Sequence, residues 1–250
     1  MTAAKRLDGA DLRVGVPEAD STRVASALRL DRAGASEREI YLLEDLSARP
    51  GRMAAAGVTA RLVQIPWGHE LVVQLRPSGH TELGPSWLGF YSDATHRLRI
   101  SEEWTASQRV MTASLTARLD AAAPALAATT DPDGTRPARG LLSAMQRDFM
   151  ATRPGLVVRD GVLRLLGPIL ERAWRRRRYD LDFLVRRWTA RQRGRADLDL
   201  IDLERVSVEA DAPFLLPALR SLAQRQGVDP SQDVEPVVVR AVSWFSDYRH

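Results

Sequence analysis

Two short runs of strand-forming residues joined by one turn constrain this chain most. They are Val58-Thr59-Ala60-Arg61-Leu62-Val63-Gln64-Ile65 and Leu71-Val72-Val73-Gln74-Leu75-Arg76, with Pro66 and Gly68 in the turn between them. A period of two predicts paired strands, with successive side chains on opposite faces. On the second strand Val72, Gln74 and Arg76 share one face, and Leu71, Val73 and Leu75 share the other. On the first, Arg61 falls with Thr59 and Val63. Two strands that each project an arginine from an otherwise apolar ribbon point to a sheet closed around an anion, although an exposed strand face also carries arginine. The run Glu39–Asp45 before them reads as a strand ending in acid, followed by a helical link, Ser47 to Ala56, that Gly57 stops in a left-handed turn.

The rest of the chain supplies further strands and a few helices. Asp11–Val16 reads as a strand and Ser21 as the cap of a helix through Leu28. Pro77 to Thr95 is rich in glycine and proline and reads as a loop or lid. Strands are expected over Arg97–Trp104, where Arg99, Ser101 and Glu103 share a face, and over Gln108–Leu119. Residues 121–140 form the one credible internal linker, and Leu141–Thr152 an amphipathic helix. The second half reads as strands Gly161–Leu165, Leu170–Arg178, Phe183–Gln192, Leu198–Val208 and Glu235–Phe245, with a helix Pro213–Gln226 stopped by Gly227.

Composition excludes several classes of chemistry. With no cysteine, the chain has no disulfide framework, thiolate metal site or cysteine nucleophile. Lys5 is the sole lysine, so nearly all the base is arginine, which forks onto carboxylate or phosphate and keeps its proton. No apolar run reaches the roughly 20 residues of a membrane span. The N-terminus lacks the apolar core of a secretory signal, so a cytoplasmic location is expected. The four histidines have no metal-ligand spacing, and no phosphate-loop, zinc-protease or nucleophile-elbow motif occurs.

Two charged constellations stand out. Trp174-Arg175-Arg176-Arg177-Arg178 and Arg186-Arg187-Trp188, with Arg191, Arg193 and Arg195, could meet nucleic acid through phosphate contact and base stacking; alternating faces on solvated strands explain them as well. Asp197, Asp199, Asp202, Glu204 and Glu209 cluster on one strand, and Asp202 with Glu204 is the pair to test for magnesium or manganese.

Several of these blocks, in order, resemble the CYTH family, named for class IV adenylate cyclase and thiamine triphosphatase. They are Arg38–Glu44, Gly57–Arg61, Val73–Pro77, the Ser143-x-x-Gln146-Arg147-x-Phe149 helix and Leu165–Ile169. The resemblance spans about Asp11 to Phe245. It implies an α+β fold, an antiparallel eight-stranded tunnel with helices packed outside. One domain over 1–250 is expected, its halves at about 1–120 and 141–250. In such tunnels inward glutamates hold divalent metal, and inward lysines and arginines clasp a triphosphate. Carried over by position, the resemblance implies Arg13, Arg61, Arg76, Arg172 and Arg240 for the anion, and Asp11, Glu103 and Asp202 for the metal.

The departures are as informative. The family's opening glutamate-x-glutamate-x-lysine is absent, replaced by Gly9, Asp11 and Arg13 or, in another register, by Leu7, Gly9 and Asp11. Gln74 and Val238 stand where lysines are expected, and Val63 where a second arginine is. Losing a metal carboxylate weakens divalent binding, so Mg2+ or Mn2+ is expected to be weakly held or absent. The sequence therefore reads as a divergent tunnel that binds a phosphorylated or otherwise anionic small molecule, its triphosphatase site eroded. Two alternatives stand beside it: a working metal-dependent triphosphate phosphohydrolase, and a basic nucleic-acid or partner-protein module using Arg175–Arg178. No membrane partner is expected, and a homodimer is left open.

Overall fold

The computed structural model describes residues 7–47, 51–76, 85–119, 135–159, 161–192, 196–232 and 234–246. The first part of the expected lid (77–84), most of the linker (120–134), and Arg193 and Arg195 lie outside them. In chain order the elements are β1 (Ala10–Val16), α1 (Ser21–Ala27), β2 (Ser36–Asp45), α2 (Arg52–Ala55), β3 (Val58–Ile65), β4 (Gly68–Leu75), β5 (His96–Trp104) and β6 (Arg109–Leu119). There follow β7 (Arg136–Pro137), α3 (Ala144–Ala151), β8 (Leu163–Arg178), β9 (Leu181–Ala190), β10 (Leu198–Ser207), α4 (Ala212–Arg225) and α5 (Val237–Ser246).

The strands form one sheet in the order β2-β3-β4-β6-β5-β1-β10-β9-β8-β7, and pairing of β2 with β8 closes it. The expected tunnel is therefore present, with α3 and α4 packed outside. It is walled by nine strands rather than eight, since β7 is only a two-residue edge, and it is mixed, because β1 runs parallel to β5. Strands from both halves of the chain contribute to the closed wall.

The outer face carries two apolar layers. Met53, Leu62, Leu71, Leu75 and Leu115 pack with Phe149 of α3, and Leu12, Val14, Trp174, Val185 and Leu203 pack with Leu219 of α4. A third cluster lies inside the wall. There Ile40, Leu42, Val63, Leu166, Ile169, Trp188 and Leu200 surround Val237, Val238, Ala241 and Val242 of α5. The C-terminal helix thus fills part of the lumen with hydrocarbon, and the polar remainder is what a ligand could use.

Three sequence expectations are corrected. Glu235–Phe245 is not a strand: Val237–Ser246 is α-helical. Its β-branched run mimics a strand, but Val237, Val238, Ala241 and Val242 recur at helical spacing, and the Pro236 carbonyl accepts from the Arg240 N–H at 3.1 Å. Helix Ser21–Ala27 starts without a side-chain cap. The expected strands Gly161–Leu165 and Leu170–Arg178 are one bent strand, β8, in which an extra residue is accommodated around Gly167 and Pro168, since Ile40 pairs with Ile169 but Leu42 with Leu166. Such a bulge exchanges the faces of everything beyond it.

Helix α3 is held by a reciprocal cap: Ser143 Oγ accepts from the Gln146 N–H at 3.1 Å, and Gln146 Oε1 accepts from the Ser143 N–H at 3.3 Å. His96 Nε2 lies 2.9 Å from Ser143 Oγ and its Nδ1 lies 3.2 Å from Asp93, so a carboxylate–imidazole–hydroxyl chain pins this helix to β5. The buried Gln146 amide also donates to the Leu71 and Leu115 carbonyls of β4 and β6. Ser143→Ala is expected to lower unfolding free energy by about 1–2 kcal/mol, measured by urea denaturation, without altering any ligand affinity.

Candidate functional site: an arginine-lined lumen

Strand alternation decides which charges enter the lumen. Asp11 and Arg13 of β1, Arg61 of β3, Gln74 of β4, Arg99, Ser101 and Glu103 of β5, Arg186 of β9, and Asp202 and Glu204 of β10 line an internal cavity of about 210 Å³. A wider cavity of about 510 Å³ shares Arg13, Gln74 and Glu103 with it and adds Thr59, Arg76, Gln108 and α2. Gly57 fixes the wall there. Its φ of +73° lets the chain turn out of α2, and its carbonyl accepts the Arg76 N–H at 2.7 Å; a Cβ would collide with the Arg76 carbonyl.

Each carboxylate expected to hold metal is instead engaged by arginine. Asp11 takes a two-pronged contact from Arg99 at 2.6 and 2.7 Å, and accepts from the Ser101 hydroxyl at 2.8 Å. Glu103 meets Arg13 at 3.3 Å and Arg76 at 3.4 Å. Asp202, fully buried, meets Arg240 at 2.8 Å and Arg13 at 3.6 Å. Burial pushes the Asp202 pKa up, against the pull of Arg13 and Arg240. Among the described residues, no three carboxylate or imidazole groups are gathered as a metal-binding set. This donor set, already neutralised by guanidinium, does not fit a divalent cation.

A second knot was not foreseen from sequence. Glu171 accepts from Arg38 at 2.6 Å, from Arg186 at 3.4 Å and from the Trp188 indole at 2.8 Å, while Arg186 also meets Glu204 at 2.7 Å. Burial would raise the Glu171 pKa, but Arg186 and Arg38 hold it below the usual carboxylate range. Glu204 is raised by burial, which Arg186 opposes. Period-two reading of Arg186 and Trp188 against Arg187 could have found the inward pair, because a tryptophan buried to 1% exposure marks the lumen face.

Arg61 differs from its neighbours. It lines the inner cavity, yet among the described residues it has no hydrogen-bond or ion-pair partner. Burial, reinforced by the nearby positive charge of Arg186, lowers its pKa to about 10. Glu171 and Glu204 oppose this shift without making an ion pair with Arg61, and a poorly solvated cation lacking a direct partner is costly unless something occupies the site with it.

Arg172 and Arg240 lie elsewhere than expected. The bulge at Gly167–Pro168 turns Glu171 inward and Arg172 outward, where Arg172 pairs with Glu37 at 2.7 Å. Arg240 comes from a helix and spends its donors on Asp202 and on the Val16 carbonyl at 2.9 Å. In the four-arginine run, Arg175 and Arg177 point to solvent, while Arg176 and Arg178 reach the carbonyls of Arg29 and Ala27. Trp174 and Trp188 are buried, so neither offers a face for base stacking. No helix among the described residues is long and apolar enough to cross a membrane.

No family model matches the sequence, and no curated protein is significantly similar to it. The fold itself has solved counterparts. A candidate adenylate cyclase from Bacillus halodurans superposes with a TM-score of 0.52 at 9% identity, covering 94% of this chain and 97% of its own. A candidate adenylyl cyclase from Hippeastrum, described as having a dominant triphosphatase activity, aligns with a TM-score of 0.46 at 13% identity, over 92% of this chain and 94% of its own. The first likeness establishes the architecture and nothing further.

Glu44, 1% exposed, accepts the N–H groups of Asp45 and Met53 at 3.1 and 2.8 Å, and burial pushes its pKa up to about 7. Its folded pKa exceeds its ordinary value of 4.5, so the native state keeps a proton that the unfolded chain releases. Stability from this group is therefore full below that ordinary value and falls as pH rises to about 7. Between acidic and alkaline buffers the loss is expected to be about 2–3 kcal/mol, and Glu44→Gln, which keeps the acceptor, should flatten that slope in paired urea melts.

Proposed function

We propose, from the premise that this chain has a CYTH-like tunnel fold, that it binds a phosphorylated or otherwise anionic small molecule in its lumen. In this reading the tunnel has given up metal-dependent triphosphate hydrolysis and keeps the recognition of an anion. The observation that carries it is Arg61, a guanidinium aimed into an internal cavity with no described partner. Arg13 lines both the inner and the wider cavity and Arg76 lines the wider one, which suits an elongated anion reaching from Arg61 past Arg13 toward Arg76. Phosphate oxygens accept two parallel bonds from a guanidinium, giving both charge and orientation. A phosphate chain is the anion with such oxygens spaced along its length. A cytoplasmic location, as expected from the sequence, belongs to the same reading.

The alternative of a metal-dependent phosphohydrolase would require Asp11, Glu103 and Asp202 to exchange arginine for metal. Phosphate release from a panel of triphosphates with magnesium or manganese tests it: sustained release with either metal would favour the enzyme over the binding protein.

For the binding reading, inorganic tripolyphosphate should raise the melting temperature in proportion to the logarithm of its concentration. Arg61→Met should weaken its affinity about 10- to 100-fold, the loss of one charge-assisted contact of about 1.5–3 kcal/mol. The same substitution should leave the free protein equally stable or more so, because it removes a half-buried charge that makes no ion pair among the described residues. Arg172→Ala should leave the affinity unchanged. Calorimetric titration checks all of these, and an unaltered affinity in Arg61→Met would remove Arg61 from the site.

A further inference from the structure

We propose that the guanidinium of Arg13 is a permanent cation supplied by the chain itself between Glu103 and Asp202, so that the tunnel engages phosphate chains without a divalent metal. The inference rests on the anion-binding reading above and adds the manner of charge balance. Glu103 on β5 and Asp202 on β10 converge from different strands on one small volume. That is the disposition in which two carboxylates share a hard cation. Arg13 fills it, at 3.3 Å from Glu103 and 3.6 Å from Asp202.

The guanidinium is locked in place. Arg13 Nη2 donates to the Val234 carbonyl at 3.1 Å and Nη1 to the Glu235 carbonyl at 3.3 Å, on the segment that leads into α5. A metal ion would have to expel a side chain that holds two strands and the helix entry together. Arg240 engages the other oxygen of Asp202, Oδ1, and Arg76 shares Glu103 Oε1 with Arg13. The third acid, Asp11, faces Arg99 and Ser101. Arginine does not release its proton in proteins, and it cannot be chelated away. The neutralisation of Glu103 and Asp202 that a phosphate chain requires is thus built into the covalent chain, with Arg61 lining the inner cavity and Arg76 the wider one.

The full-length protein, titrated with inorganic tripolyphosphate by calorimetry, tests this in excess EDTA and in excess magnesium. The affinities should agree within about threefold. A tenfold or greater requirement for magnesium would overturn the built-in cation while leaving the anion tunnel standing. Absence of binding in both buffers would remove the anion reading, and this inference with it. Manganese binding, read from the loss of the free-ion electron paramagnetic resonance signal, should be undetectable for the native chain at micromolar metal. It should appear in Arg13→Ala, where two carboxylates lose their shared cation. Native protein that takes up manganese as tightly as the variant would contradict the proposal. If Arg13→Ala fails to melt cooperatively, Arg13→Gln carries the same readout at nearly the same volume.

Discussion

Charges taken out of water inside a closed sheet govern this structure. A carboxylate or guanidinium brought into a barrel loses hydration worth several kcal/mol, and only a close partner of opposite sign recovers it. The lumen satisfies this with a lattice that crosses strands: Asp11 to Arg99, Glu103 to Arg13 and Arg76, Asp202 to Arg13 and Arg240, Glu204 and Glu171 to Arg186. Among the described arginines lining the inner cavity, Arg205 donates to the Asp182 carbonyl and Arg61 makes neither a hydrogen bond nor an ion pair. The lattice therefore holds the wall closed and leaves Arg61 as an excess positive charge facing open volume.

The same barrel divides its interior between hydrocarbon and charge. Helix α5 buries Val237, Val238, Ala241 and Val242 against Ile40, Leu42, Ile169 and Leu200, while one turn along it Arg240 reaches Asp202. The helix is thus both plug and counter-charge. Because the Val234–Glu235 segment entering it also accepts from Arg13, packing of the C-terminal helix and placement of the lumen cations are one mechanical unit. Any change in how α5 seats would move Arg13 and Arg240 together.

Much of the wall was legible in the sequence. Strand β3 falls where its period-two pattern placed it, and the face shared by Gln74 and Arg76, like that shared by Arg99, Ser101 and Glu103, lines the lumen. What was hidden has identifiable causes. Arg172 faces outward because of one inserted residue near Gly167, and a bulge leaves only a Gly-Pro pair as its trace. The C-terminal helix was disguised by three consecutive valines whose strand preference is overridden by burial inside the barrel. The partners of Asp11, Glu103 and Asp202 were unreadable because ion pairing across a closed sheet depends on register between strands far apart in the chain. Isolated strand faces showed where the arginines point, and only the assembled wall shows that Arg61 is left without a hydrogen-bond or ion-pair partner among the described residues.

The most direct measurement places an anion. Crystals of the full-length protein soaked in bromide, with diffraction collected at the bromine edge, would locate halide by its anomalous signal. The account predicts a peak in the inner cavity within hydrogen-bonding reach of the Arg61 guanidinium. Peaks confined to the outer surface, with the lumen empty of halide and Arg61 turned onto a protein carboxylate, would contradict it.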